Sequence, residues 1–412
     1  MRKVLFFWLV LLSCWACMPV FKTNYQTNFV KTQNREHFRQ KLRDTLLTAP
    51  FRQTNAPDSV WESTFWAMEL SITRHDSLIP YFCKLFEEYP HRSSRFQRSF
   101  LEMIYALYPV AFEKEIKQTA LNEKNEKHFA ICMLYLARIY PSEEENLLDL
   151  LSQKFPISQN HPILYCLQKQ LYQKPDYQLP ALKDLLDFHK GHKVIYSFQR
   201  PDRNFAGLAV VQQTNGKLVR GKNKQLLVFE QFGRSSSDLP FFITNGNTPQ
   251  GIFTIADIAP AQNEFIGPTP AFITLLPFEA TLDNFFRQKT EEKEWTLKNY
   301  LSLFPESWHG YLPIQQAFYA GKAGRNEILA HGTTIDTDFY KNEIFYPFTP
   351  SLGCLTGKEI WNPETGRLIQ SSQAALLKTF LKTKGKTGFM FVIELADKNE
   401  PVSTTEIEEL LK

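Results

Sequence analysis

The chain changes its hydrophobic period once, near residue 193, and that change limits what it can fold into. Before it, from about Ser59 to Lys190, apolar residues recur at spacings of three and four. Phe96, Phe100, Met103, Ile104 and Leu107 are one such run, and the pattern predicts amphipathic helices packed on one another. Pro90, Pro109, Pro141, Pro156, Pro162 and Pro175 interrupt it, and helices stop or start there because proline has no amide to donate. Pairs of short helices broken in this way predict an irregular α-solenoid of the HEAT or TPR kind, although no residue signature recurs at a fixed period. Charge runs such as Glu113-Lys114-Glu115 and Glu143-Glu144-Glu145 read as solvated faces and helix starts. The sequence names no protein partner for this helical half.

After residue 193 the runs shorten and take strand composition, at 194–198, 206–211, 225–229, 241–244, 251–255 and 389–395. Asn215-Gly216 marks a hairpin turn between two of them. Residues 283–304 and 312–319 read as helical or mixed insertions. The expected fold is therefore an α+β multidomain chain. A solenoid-like α-helical domain at 56–192 precedes a mainly β domain at 193–397, with a C-terminal tail at 398–412 ending in a short exposed helix from Glu406. A length of 412 residues agrees with two domains.

The first residues read as an export signal. Met1-Arg2-Lys3 is basic, the run from Val4 to Leu12 is apolar, and the run is too short for a stable membrane span. Leu11-Leu12-Ser13-Cys14 resembles a bacterial lipobox, so residues 1–17 are expected to be a lipoprotein-type signal peptide with Cys14 as the lipidated residue. Cys17 is a second candidate, and a plain signal peptide is the alternative. Lipidation would hold the exported chain at a membrane surface in the periplasm or envelope by its acyl chains. The polar stretch 18–55 then reads as a tether with one helix near 35–47.

Composition excludes several classes. With 43% hydrophobic and 22% charged residues the chain is globular, and a net charge of +4 gives no support to nucleic-acid binding. The 35 Phe and 16 Tyr predict well-filled cores. Of six cysteines, Cys83, Cys132 and Cys166 sit in apolar helical contexts and read as buried thiols, with a Cys83–Cys132 or Cys132–Cys166 disulfide left open. His189 and His192 lack a third ligand, so no metal is expected, and no cofactor. His309, after Trp308, reads as part of a packed aromatic pair. Asp336, Asp338 and Glu343 read as an exposed loop.

Cys354 stands alone in the second half, preceded by Ser351, Leu352 and Gly353, and His331 is followed by Gly332. A thiolate attacks acyl carbons and a neutral imidazole takes the thiol proton, so this pair is a minimum kit for acyl transfer. Glycine at both places lets the backbone turn and present N–H groups to an oxyanion. Together with Asn247-Thr248-Pro249-Gln250-Gly251-Ile252-Phe253, the elements Ala330-His331-Gly332-Thr333 and Ser351-Leu352-Gly353-Cys354 resemble the YkuD family of L,D-transpeptidases, with its T-P-x-G-x-F strand, H-G element and S/T-H-G-C motif. The resemblance covers roughly 193–397, and its sharp motifs about twenty positions.

That resemblance implies a YkuD-like, β-rich catalytic domain with the cysteine in a cleft, acting on peptidoglycan stem peptides. Cys354 would be the nucleophile and His331 its base, oriented through the Gly332 main chain. Gly353 and Cys354 N–H groups would form the oxyanion hole, Ser351 would brace the loop, and Gly251 would allow close packing beneath. Transfer to a neighbouring stem amine gives cross-linking, transfer to water gives carboxypeptidase or amidase action, and a non-catalytic peptidoglycan-binding lipoprotein is the third possibility. The chain departs from the motif at Leu352, where the family has His, and at Thr356, where it has Arg. Lys358 and Arg325 are candidates to replace that guanidinium.

Overall fold

The computed structural model describes residues 24–53, 55–172 and 178–411. The segment expected to be a signal peptide, with Cys14 and Cys17, lies outside the described residues.

The helical half forms as the period predicts. Helices Asp58–Ser71, Ile79–Glu88, Ser94–Leu107, Glu113–Asn122, Glu126–Ile139, Glu144–Lys154 and Pro162–Tyr172 follow one another. Ser93 and Asn125 cap two of them by accepting amide hydrogen bonds at their first turns. Their apolar faces share one core, in which Phe65, Phe82, Phe96, Phe100, Phe112 and Phe129 are fully buried. The first helices of successive hairpins start at Asp58, Ser94, Glu126 and Pro162, a near-even step carried by geometry without a repeated residue signature.

The second half corrects the expected YkuD-like domain. Its strands are β1 (His192–Gln199), β2 (Gly207–Gln212), β3 (Phe229–Phe232), β4 (Gly251–Ala259), β5 (Ala271–Leu275), β6 (Ala330–His331), β7 (Leu355–Gly357), β8 (Glu359–Trp361), β9 (Leu368–Ser371) and β10 (Lys386–Glu394). Eight of them close into a barrel in the order β1-β10-β4-β5-β6-β7-β3-β2, while β8 and β9 form a separate two-stranded sheet. Closure needs two parallel joints, β1 with β10 and β6 with β7, in an otherwise antiparallel ring. The strand runs are visible in the sequence, but pairing between the first and last of them is not. Barrel closure is therefore the feature that the expected architecture lacked.

Three further segments differ from expectation. Residues 241–244 form turns, not a strand, because the Ile243 N–H donates to Pro240 O and the Gly246 N–H to Ile243 O. The turns send Leu239, Phe242 and Ile243 into the helical core, so the two halves share hydrophobic packing. Residues 24–53 are docked, not loose: the Thr27 N–H donates to Gly366 O, and helix Thr32–Lys41 carries Arg35 and Arg39 to Asp336. The C-terminal tail is also fixed. Arg200, fully buried, donates to Glu406 and to the carbonyls of Ala396, Glu400 and Pro401, and Ile407 enters the barrel core.

The shared packing predicts that Phe242→Ala lowers unfolding free energy by about 3–5 kcal/mol. Denaturant titration followed by far-ultraviolet circular dichroism should show the helical signal lost earlier, although the substitution lies in the barrel half. An unchanged helical midpoint would disprove the shared core.

Candidate active site

The parallel pairing of β6 with β7 sets Ala330 opposite Leu355 and His331 opposite Thr356. Ala330 and Leu355 point into the barrel core. Because side chains alternate along a strand, His331, Cys354 and Thr356 turn to the opposite face. There they line one cleft of about 690 Å³. The cleft's far wall comes from the helical half, through Trp66, Glu69 and Leu70 of helix Asp58–Ser71.

His331 is 6% exposed and its Nδ1 lies 2.5 Å from Gly332 O. That carbonyl only accepts, so Nδ1 carries the proton and Nε2 keeps its lone pair. Burial lowers the His331 pKa, more than the Gly332 carbonyl raises it, and the ring is neutral near pH 7. Cys354 Sγ accepts from the Leu329 N–H at 3.3 Å and donates to Glu327 O at 3.5 Å. Burial pushes this thiol up to about 11, against the opposing pull of the Leu329 N–H and the Arg325 guanidinium. The resting site thus holds a neutral thiol and a neutral imidazole.

The cysteine loop is braced from three sides. Ser351 Oγ accepts from the Gly353 N–H at 3.0 Å and donates to Cys354 O at 2.8 Å, and Thr248 Oγ1 donates to Gly353 O at 2.9 Å. Thr248, from the first motif, therefore supports the loop from behind. The Gly353 N–H is engaged by Ser351, which leaves the Cys354 N–H as the donor for an oxyanion. Gly353 has φ +111°, and a Cβ there would fall 2.1 Å from Arg325 Nη2. Gly251, with φ +127°, packs against Ile314 O and Tyr300 in the barrel core.

Arg325 lines the cleft beside Cys354, but its donors are occupied by the carbonyls of Phe241, Asn247 and Gly246. Lys358 is engaged elsewhere, 3.3 Å from Glu230 and over the Phe348 ring. Leu352 is 52% exposed on the rim, and Thr356 Oγ1 donates to Thr349 O. Asp336 corrects the exposed-loop reading, since it is 5% exposed and paired with Arg39 and Arg35; Asp338 also meets Arg39. His309 Nε2 donates to Phe304 O, and His189 Nε2 to Leu303 O, both away from the cleft. Among the described residues no group of three or more His, Cys, Asp or Glu is arranged to hold a metal ion. Cys83, Cys132, Cys166 and Cys354 are all free, so neither disulfide left open above forms.

Two contributors were not legible in the sequence. Glu359 lies under the His331-Gly332 peptide: its carboxylate accepts from the Thr333 N–H at 3.1 Å and Ser371 Oγ at 2.7 Å. A Cβ on Gly332 would meet that carboxyl at 2.4 Å, which explains the glycine. Trp361 Nε1 adds a bond to Thr333 O at 2.8 Å. Glu69 is the other, brought to the cleft by tertiary packing, and burial beside Glu102 holds its carboxyl well above the usual range. No spacing in the sequence links either residue to His331 or Cys354.

No protein-family model, curated protein or solved structure matches the chain. None of these comparisons identifies an L,D-transpeptidase, and the expectation of one rests on the motif residues alone.

Burial pushes the Glu359 carboxyl up to about 7 from an ordinary 4.5. The folded state then binds the extra proton, so the stability this group contributes is present at low pH and is lost as pH rises through about 7. Glu359→Gln removes the titration, and its melting temperature should fall less than that of the wild type over this window. Equal slopes in the two proteins would refute the assignment.

Proposed function

We propose that the chain is a thiol acyltransferase in which Cys354 attacks a peptide carbonyl and His331 carries the proton. The observation that supports this reading is the placement of both side chains on one cleft, His331 from β6 and Cys354 from the loop that enters the parallel strand β7, with Nδ1 of His331 tied to Gly332 O. In the first step Sγ bonds to the carbonyl carbon as its proton passes to His331 Nε2. The tetrahedral oxyanion meets the Cys354 N–H, and the imidazolium returns the proton to the departing amine, leaving a thioester. An acceptor amine or water, deprotonated by the same imidazole, then releases the acyl group. A substrate entering the cleft displaces the Cys354 contact with Glu327 O and lets the thiol turn to the imidazole, since catalytic hydrogen bonds often tighten only in the complex.

Peptidoglycan stem peptides are the substrate class suggested by the three motifs and the export signal. Arg325, Glu69 and Glu327 line the cleft that such a peptide would enter. Cross-linked products would mark a transpeptidase and trimmed monomers a hydrolase. The same reading places the protein in the bacterial envelope, anchored through Cys14. Cys14→Ser should move the mature protein from the membrane to the soluble fraction; an unchanged membrane fraction would refute anchoring at that residue.

A second reading is a non-catalytic domain that binds peptidoglycan. It is favoured by the thiol's bond to Glu327 O in place of the imidazole and by the exposed apolar Leu352 on the rim. Incubation with muropeptides separates the two. The acyltransferase reading expects product from the wild type, none detectable from Cys354→Ala, and a rate about 10²–10⁴-fold lower from His331→Ala. Sacculus binding by both wild type and Cys354→Ala, with no product from either, would overturn it in favour of the binding reading.

A further inference from the structure

A second cavity, of about 670 Å³, lies where the helical half meets the end of helix Gln316–Lys322 in the barrel half. It is lined by four cations, Arg95, Arg98, Lys127 and Lys322, against one carboxylate, Glu126. None of these residues belongs to the Cys354 cleft.

The hairpin array explains why the cavity is electropositive. Helices Ser94–Leu107, Glu126–Ile139 and Pro162–Tyr172 each begin at its wall, through Ser94, Glu126 and Pro162. Three positive dipole ends therefore face one space, with Ser93 and Asn125 capping the first-turn amides of two of them. Helices normally place acids in such a first turn. Two of these three have none there, and Arg95 and Lys127 put positive charge where the dipole disfavours it. An arrangement that opposes local electrostatics on several elements at once is relieved by an anion from outside.

Nitrogens without a hydrogen-bond partner also lie among the lining side chains. Arg98 Nε, 3.6 Å from Glu102 Oε1, and His161 Nδ1 are buried in this way. His128, 2% exposed and part of the lining, has an Nδ1 that makes no hydrogen bond and is 3.6 Å from Glu123. The competing interactions are few. Arg95 pairs with Glu62 at 2.8 Å, Arg98 lies 3.6 Å from Glu102, and Lys127 Nζ donates to Thr244 Oγ1 at 2.6 Å. Among the described residues Lys322 has no carboxylate within ion-pair distance.

We propose that this cavity binds a phosphoryl group of a larger ligand. Guanidinium forks and the positive ends of helices suit phosphate oxygens, and the excess of cations suits a group carrying more than one negative charge. Two sources share this chemistry, a soluble di- or polyphosphate and the headgroup of an anionic phospholipid. The cavity is large enough for either.

Calorimetric titration of the full chain with inorganic pyrophosphate, and separately with dihexanoyl-phosphatidylglycerol below its micelle concentration, tests this. Saturable binding is expected for at least one of them, weakened by added salt and about tenfold or more by Arg95→Ala/Lys322→Ala. Arg95 is 77% exposed, so the double variant should fold, as circular dichroism will verify. Pyrophosphate binding assigns a soluble source. Binding of the phosphatidylglycerol but not of dihexanoyl-phosphatidylcholine or pyrophosphate assigns a lipid headgroup. Absence of binding by both anions, or binding unaffected by the double substitution, would overturn the proposal.

Discussion

Two residue pairs of parallel ladder, Ala330 with Leu355 and His331 with Thr356, hold the candidate site together. They close one side of the barrel, send Ala330 and Leu355 inward, and thereby turn His331 and Cys354 outward onto one cleft. So short a ladder needs support from outside it. Gln373 Nε2 donates to Ala330 O, Leu355 N–H donates to Leu329 O, and Glu359 with Trp361 fixes the Thr333 backbone beyond the strand. The glycines follow from these braces: Gly332 makes room for the Glu359 carboxyl, and Gly353 for the Arg325 guanidinium.

The helical half takes part in the same construction. Its core receives Phe242 and Ile243 from the barrel half, and helix Asp58–Ser71 forms a wall of the cleft. Arg325 links the two functions of the 241–247 turns, since it binds their carbonyls while packing against Gly353. The turns thus tie helical packing to the position of the cysteine loop. On the other side of Glu102, which accepts from Asn245, Arg98 and Lys127 open on the electropositive cavity.

What could be read from the residues was local. The periodicity from Ser59 to Lys190 marks the helices, and glycine beside both His331 and Cys354 marks the two loops. Barrel closure was not readable, because it depends on β1 meeting β10 across nearly the whole second half. The 241–244 run has strand composition, yet Pro240 and Gly246 bend it into turns, and its apolar side chains serve another core. Asp336 looks like loop surface until helix Thr32–Lys41 brings Arg39 to it. Glu359 and Glu69 carry no motif, and only tertiary packing relates them to the site.

Thiol chemistry at Cys354 is the centre of the proposed reaction, and a covalent intermediate is its most direct consequence. Acid-quenched intact-mass measurement during incubation with a tetrapeptide stem donor should find a thioester on the wild type. Its added mass should equal the donor less the terminal residue released as free amino acid, and Cys354→Ala should carry none. Product formation with the protein unmodified throughout, or the same adduct on Cys354→Ala, would contradict it.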